Sequence, residues 1–222
     1  MTAVSRIGIS IFLGLVVGIA GTAQEQQTTA AQALQELKVG NSHHADHRYR
    51  HPHETPIRQH ELTAGQHPHA VILGCADSRV PPEIVFDQGL GDLFTVRVAG
   101  NVAGDYEIAS IEYAVEHLHT PLLVVMGHQK CGAVSAAAEG GKADGHLSEL
   151  IKAIQPAVDK AKSMPGDVID NAVRTNVEMV VSQLRTSQPL LSSFVKAGKL
   201  RVVGAVYSLD TGKVTWLPDA PE

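Results

Sequence analysis

The sequence lacks an excess of positive charge. It has 18 lysines and arginines against 23 acidic residues, a net charge of −5, and no basic stripe. Proteins that bind nucleic acids usually concentrate basic side chains on one surface, so we do not expect a nucleic acid as a partner. The chain also lacks internal repeats, and its 222 residues are enough for one substantial core but too few for two.

No apolar run is long enough to cross a membrane, which takes roughly 18 or more residues. The longest run, Ile7 to Ala20, is shorter and is interrupted by glycines. It follows Arg6, and the small residues Gly21 to Ala23 come after it, as in a secretory signal peptide with its cleavage site. We therefore predict a signal peptide at 1–23 and a periplasmic or secreted protein without a stable membrane span. An uncleaved N-terminal anchor is the alternative.

Cysteine is scarce, since Cys75 and Cys131 are the only two in the chain. Each lies in a polar, turn-forming segment directly after an apolar run, and each has a second potential metal ligand nearby, Asp77 or His128. A disulfide is the usual interpretation of two cysteines in an exported protein. A structural disulfide has no use for those neighbours, however, so the sequence favours a metal site.

From Ala70 onward, apolar runs of strand length alternate with segments of helical period, which is typical of a parallel sheet with crossover connections. We predict a single α/β domain with a mostly parallel central β-sheet flanked by helices, an antiparallel edge strand at the C-terminus and an extended N-terminal arm. The arm covers 24–69 and the core 70–222. The predicted strands are 70–74, 93–98, 121–127, 200–207 and 214–217, and the predicted helices are 105–118, 131–139, 147–162, 167–186 and 188–197, the last capped by Ser187.

The arm is rich in histidine, because eight of the twelve histidines lie between Asn41 and His69. A short amphipathic helix is predicted at 30–38. The remainder has no clear period and is broken by prolines, so we expect it to be weakly structured. Its imidazoles could shuttle protons near pH ~6.5 or collect metal ions, or the arm could be a solvated segment without a dedicated role.

Ligands gather at the carboxyl ends of the strands in a parallel sheet, where Cys75 and His128 lie in the predicted fold. Alternation along an extended segment points Cys75, Asp77 and Arg79 to one side. His128 and Cys131 are three residues apart, the spacing that brings two side chains together across a helical turn. Two thiolates and an imidazole suit Zn²⁺, and three protein ligands leave a fourth position open, as in catalytic zinc sites.

Arg79 has a specific use beside such a site. A bidentate ion pair with Arg79 would keep the Asp77 carboxylate from closing the open position, although Asp77 is itself a further candidate ligand. Zinc lowers the pKa of a bound water towards about 7, so that a zinc-bound hydroxide is available. Because two thiolates offset the charge of the metal, we expect weaker acidification than in an all-histidine site and activity that rises through the alkaline range.

Three segments resemble the β-class carbonic anhydrases: Cys75-Ala-Asp-Ser-Arg79-Val-Pro, Val96-Arg-Val-Ala-Gly-Asn101 and Gly127-His-Gln-Lys-Cys131-Gly-Ala-Val134. The resemblance covers residues 30 to 217, and the combination of Cys-x-Asp-x-Arg with His-x-x-Cys is highly specific. It implies a zinc enzyme that interconverts CO₂ and bicarbonate, with one zinc per chain. The residues that match the family are the ligands Cys75, His128 and Cys131, the gating pair Asp77 and Arg79, and the substrate-contacting Gln66, Phe94, Tyr113 and Gly132 amide.

The resemblance also implies a homodimer or homotetramer that shares its pocket walls between subunits, with an N-terminal arm reaching over the partner. Two departures from the family stand out. Ile72 replaces the tryptophan of the bicarbonate-regulated members, which speaks against that regulatory site, and the segment 98–101 differs from the commoner Asn-Val-Ala-Asn. Two alternatives stay open: the same centre acting on carbonyl sulfide or carbon disulfide, and a non-catalytic zinc buffer built on the histidine-rich arm, which the Asp77–Arg79 pair argues against.

Overall fold

A computed structural model describes residues 28–140 and 143–218. The predicted signal peptide and the first residues of the arm lie outside these residues. Five strands form one sheet in the order β2-β1-β3-β4-β5, in which the first four are parallel and β5 is antiparallel to β4. Their bounds are β1 Ala70–Gly74, β2 Leu93–Arg97, β3 Leu122–His128, β4 Arg201–Tyr207 and β5 Val214–Trp216.

Helices cover both faces of this sheet. Within the described part of the chain, no helix is both long and apolar enough to cross a membrane. The helices are α1 Ala30–Ala45, α2 Pro56–Glu61, α3 Pro82–Val85, α4 Asp105–Glu116, α5 Gly132–Ala138, α6 Leu147–Ala161, α7 Val168–Thr186 and α8 Leu191–Lys196, with short 3₁₀ turns at Leu62–Ala64 and Ala99–Asn101.

The central strands are buried on both sides, which explains why they are continuous apolar runs rather than alternating ones. In β1, Ile72 packs into a cluster with α1, α5 and α6, whereas its neighbours Val71 and Leu73 pack into a second cluster with α4, α7 and α8. Side chains of β3 alternate in the same way, with Val124 on the first face and Val125 on the second. The α/β fold and its mostly parallel sheet are as predicted.

The last helix begins later than predicted. Ser187 does not cap it, because Ser187 ends α7 instead, where its backbone N–H donates to the carbonyl of Leu184. Helix α8 then starts at Leu191, two residues after Pro189, rather than at 188. The other predicted strands and helices of the core agree with the structure to within two residues at each end.

Helix α1 is longer than predicted and belongs to the core. A capping box between Thr29 and Gln32 starts it, and it continues past Lys38 to Ala45. Asn41 occupies the position where the apolar period of Leu34 and Leu37 would require another apolar residue. Its buried amide donates to the carbonyls of residues 85 and 212 and accepts from the backbone N–H of residue 214. These bonds compensate the burial of a polar side chain, so the helix continues where the sequence pattern is lost.

Two buried carboxylates hold the histidine-rich segment, which we expected to be weakly structured. Asp87 accepts hydrogen bonds from the His43 imidazole at 3.1 Å and from the backbone N–H groups of Arg50 and His51. Asp92 accepts from the His53 imidazole at 2.7 Å. Asp92 directly precedes β2, so this end of the segment lies at the amino edge of the sheet, about 16 Å from the carboxyl edge for a five-residue strand.

The packing of α1 predicts a contrast between two of its residues. Leu37 is fully buried, whereas Val39 is 44% exposed on the same helix. We expect Leu37→Ala to lower the free energy of unfolding by about 2–5 kcal/mol, because it leaves a cavity in the core. Val39→Ala should change it by less than about 0.5 kcal/mol. Denaturant unfolding measures both, and equal effects of the two substitutions would contradict the docking of α1.

Candidate metal centre

The two cysteines and His128 meet at the carboxyl edge of the sheet. Cys75 directly follows β1, His128 is the last residue of β3, and Cys131 precedes the first turn of α5. Because β1 and β3 are neighbouring parallel strands, their carboxyl ends lie side by side. The two sulfur atoms are 4.0 Å apart, and one ligand atom from each of the three residues lies within 4.8 Å of the others.

His128 presents a bare nitrogen to this cluster. Its side chain is fully buried, and Nδ1 lies 2.9 Å from the carbonyl oxygen of Gln129. A carbonyl can only accept, so Nδ1 donates this bond, and in the neutral imidazole the lone pair is then on Nε2. Within residues 28–140 and 143–218, Nε2 has no hydrogen-bond partner. An imidazole held through one nitrogen with the other free is what a metal-binding histidine presents.

The two thiols behave as a coupled pair. A hydrogen bond from the Cys131 thiol, helped by the backbone amide of Gly100 at 3.3 Å, lowers the pKa of Cys75. The same hydrogen bond, together with burial, raises the pKa of Cys131. Without a cation, the pair therefore gives up one proton readily and retains the other. Two thiolates and a neutral imidazole fit Zn²⁺, whose charge would allow the second proton to leave.

Asp77 lies at the edge of the cluster and is held by Arg79. The guanidinium donates to both carboxylate oxygens, from Nε at 2.9 Å and from Nη2 at 2.7 Å. These bonds hold the pKa of Asp77 far below its ordinary value, so the carboxyl is ionised throughout the physiological range. Asp77 Oδ2 is 3.9 Å from His128 Nε2, yet Asp77 is outside the three-residue cluster. Its role as a fourth ligand therefore stays a prediction.

Arg97 supports the loop that carries both Cys75 and Asp77, and our sequence analysis missed this role. It is the last residue of β2, and its guanidinium donates to the carbonyl of Cys75 at 2.9 Å and to that of Asp77 at 2.6 Å. These bonds fix the backbone on both sides of Ala76. Two signals were available: its position at the carboxyl end of a strand that pairs with β1, and its place in the family-like segment Val96 to Asn101.

Of the predicted substrate-contacting residues, Gly132 lies beside the proposed metal ligands. It directly follows Cys131 at the start of α5, and a side chain there would meet nothing within 4 Å. Phe94 and Tyr113 pair with each other at a ring separation of 6.2 Å, and Phe94 packs into the cluster on the opposite face from Cys75. Gln66 is exposed in the loop before β1, on the amino side of the sheet. Their contribution to a substrate pocket stays a prediction.

Two thiols and an imidazole at the open edge of an α/β sheet, beside a carboxylate–guanidinium pair, are typical of a metalloenzyme rather than of a closed structural metal site. The family model described as carbonic anhydrase matches residues 70–214. Carbonic anhydrase 2 of Mycobacterium tuberculosis is 40% identical over 190 residues, which are 84% of this chain and 92% of that protein.

Solved structures give the same result. The β-carbonic anhydrase CafA of Aspergillus fumigatus matches with a TM-score of 0.67 at 28% identity, covering 86% of this chain and 91% of that one. The Coccomyxa β-carbonic anhydrase in complex with acetazolamide matches with a TM-score of 0.64 at 31% identity, covering 71% and 75%. The chain therefore belongs to the β-carbonic anhydrase family and is an enzyme of that family.

The ligand set predicts how metal binding depends on Cys131. We expect the wild-type protein to retain one zinc per chain after exhaustive dialysis. Cys131→Ser should lose it, because a serine hydroxyl remains protonated and is a poor ligand for Zn²⁺. Ser135→Ala, one helical turn further along α5, is the matched control and should retain the ion. Elemental analysis measures all three proteins, and a zinc content unchanged in Cys131→Ser would refute this ligand set.

Proposed function

We propose that the protein catalyses the reversible hydration of CO₂ to bicarbonate and a proton, with one Zn²⁺ bound by Cys75, His128 and Cys131. The observation that carries this proposal is the bare, buried Nε2 of His128 opposite two thiols 4.0 Å apart. Membership of the β-carbonic anhydrase family supports it independently. When bound, zinc supplies the Lewis acidity that brings the pKa of a coordinated water towards neutrality.

Three residues beside the proposed ligands would control the open coordination position, orient the water and bind the substrate. Arg79 donates to both oxygens of Asp77, which would keep the carboxylate from becoming a further ligand when zinc is bound. The ionised Asp77 carboxylate can still accept a hydrogen bond from the nucleophilic water and so orient it. The Gly132 amide lies at the first turn of α5, where N–H groups have no acceptor inside the helix, so it could donate to a substrate oxygen.

A second copy of the chain would complete the pocket for CO₂. The substrate has no charge, so it requires apolar walls. Phe94 lies on the opposite face of the sheet from Cys75 and Cys131 of its own chain, and Tyr113 pairs with it. Tyr113 is 47% exposed, which leaves its ring available to a partner. We therefore propose a homodimer or homotetramer in which Gln66, Phe94 and Tyr113 contribute to a neighbouring site, which light scattering on Tyr113→Arg would test by dissociation.

We also propose that the protein is exported to the periplasm or secreted after removal of residues 1–23. The support is the sequence pattern of a single basic residue, an apolar run and a small-residue cleavage site. N-terminal sequencing of the protein recovered from outside the cytoplasm would test this proposal, and an intact Met1 there would contradict it.

The proposed reaction predicts a pH dependence. We expect kcat/KM for CO₂ hydration, measured by stopped flow on the zinc-loaded protein, to rise through the alkaline range. Two thiolates weaken the acidifying effect of zinc, and Asp77, with its depressed pKa, stays ionised and contributes no titration in that range. Cys131→Ser is the inactive reference, and acetazolamide, which is bound in the Coccomyxa structure, should inhibit the wild type. A rate already independent of pH below neutrality would contradict the mechanism.

The Asp77–Arg79 pair predicts a loss of activity without a loss of metal. In Arg79→Gln the carboxylate is released and can occupy the open coordination position, so we expect kcat/KM to fall roughly 100-fold while the zinc content stays at one per chain. Arg48→Gln is the matched control. Arg48 pairs with Asp46 at the same spacing of two residues but is 77% exposed, away from the ligands. Equal kcat/KM values of the two variants would contradict the proposal that Arg79 keeps Asp77 from the open coordination position.

A further inference from the structure

Asn176 is a buried polar residue that the proposed function does not use. It lies in the middle of α7, far along the chain from Cys75, and is 2% exposed. Its side-chain amide donates a hydrogen bond of 2.9 Å to the carbonyl oxygen of Gly100. Burial of an amide is unfavourable unless it is hydrogen-bonded, so this bond fixes the Gly100 carbonyl relative to the helix.

The backbone N–H of Gly100 points at the metal centre. It donates to the Cys75 sulfur at 3.3 Å. Gly100 has φ of 72°, a left-handed backbone conformation that favours glycine, and a Cβ at this position would displace the Cδ1 atom of Ile154. Glycine is also the residue with the greatest backbone freedom. The direction of its N–H therefore depends on an external anchor, and Asn176 supplies one.

The same stretch of α7 also packs against the segment that carries His128. A side chain at Gly127 would meet Val177 Cγ2 at 2.7 Å, so the helix approaches the end of β3 as closely as a glycine allows. Val177 is adjacent to Asn176 in the sequence and is fully buried. Neighbouring residues of α7 thus contact Gly127, which precedes His128, and Gly100, which donates a hydrogen bond to Cys75.

We propose that Asn176 is a positioning residue for the metal centre: by holding the Gly100 carbonyl, it keeps the Gly100 amide on the Cys75 sulfur. A hydrogen bond to a thiolate spreads its negative charge and fixes the orientation of its lone pairs towards the metal. Outer-shell contacts of this kind typically change metal affinity by about 10- to 100-fold. The inference rests on the metal site of the proposed function and adds a determinant of its affinity.

Two substitutions of Asn176 and one matched control test this role. Asn176→Leu keeps the branching of the side chain at Cγ and removes the donor. Asn176→Ser shortens the side chain and covers the case in which the larger leucine does not fit the buried site. Gln183→Leu is the control, because Gln183 also lies on α7 and donates a side-chain hydrogen bond of 2.9 Å to a backbone carbonyl of the same loop, that of Ala103. That bond leads to no metal ligand.

The measurements are zinc affinity by competition with a chromophoric chelator and the thiolate-to-metal charge-transfer band of the Co²⁺-substituted protein. They are made well below the unfolding temperature of every variant. We expect the Asn176 variants to bind zinc about 10-fold more weakly and to shift the charge-transfer band, whereas Gln183→Leu matches the wild type. A purely structural role of Asn176 would lower the unfolding temperature and leave the spectrum unchanged.

The outcomes separate this inference from the proposed function. Wild-type affinity and an unshifted band in a folded Asn176 variant would overturn the positioning role while leaving the zinc enzyme intact. A wild-type protein that binds zinc but hydrates no CO₂ would refute the proposed reaction without affecting the role of Asn176. The affinity of the control shows whether any loss is specific to the Gly100–Cys75 contact.

Discussion

The parallel pairing of β1 with β3 is the constraint on which the metal centre depends. Gly74 lies opposite Met126, so Cys75 begins its loop beside the last residues of β3, where His128 ends the strand. Side chains alternate along a strand, and a shift of one residue would turn His128 to the other face of the sheet. The register is held by apolar runs buried on both faces, so the stability of the core and the geometry of the ligands have the same origin.

That register brings together three side chains whose burial side by side is unfavourable unless a cation binds between them. The His128 imidazole is buried with one nitrogen unpaired. The two thiols share a hydrogen bond that lowers the pKa of Cys75 and raises the pKa of Cys131. Arg97 fixes the loop from β2, and Arg79 turns the Asp77 carboxylate aside. The two guanidinium groups therefore restrain the loop and the carboxylate beside the three side chains that could bind a cation.

The convergence of Cys75, His128 and Cys131 was predictable from the sequence, because their two short motifs follow apolar runs and have a specific spacing. The extent of α1 was not, since Asn41 interrupts the apolar period and its compensating partners are far away in the chain. The order of the histidine-rich segment was missed for the same reason, because Asp87 anchors it from 36 or more residues away. Contacts from a side chain to a distant backbone, such as that of Asn176 with Gly100, leave no periodic signal.

The groups that we expected to serve the metal centre do not all lie near it in the single chain. His53 is tied to Asp92 at the amino edge of the sheet, so it cannot hand protons directly to the ligands of its own chain, which lie at the carboxyl edge. Gln66 lies on that same amino side, and Phe94 packs on the opposite face from the ligands. The arrangement of Cys75, His128 and Cys131 is thus set within one chain, whereas the contacts proposed for Gln66, Phe94 and Tyr113 with an uncharged substrate would require a neighbouring subunit. An assembly that brings those residues to a neighbouring centre would couple CO₂ binding to oligomerisation while leaving zinc affinity a property of the single fold.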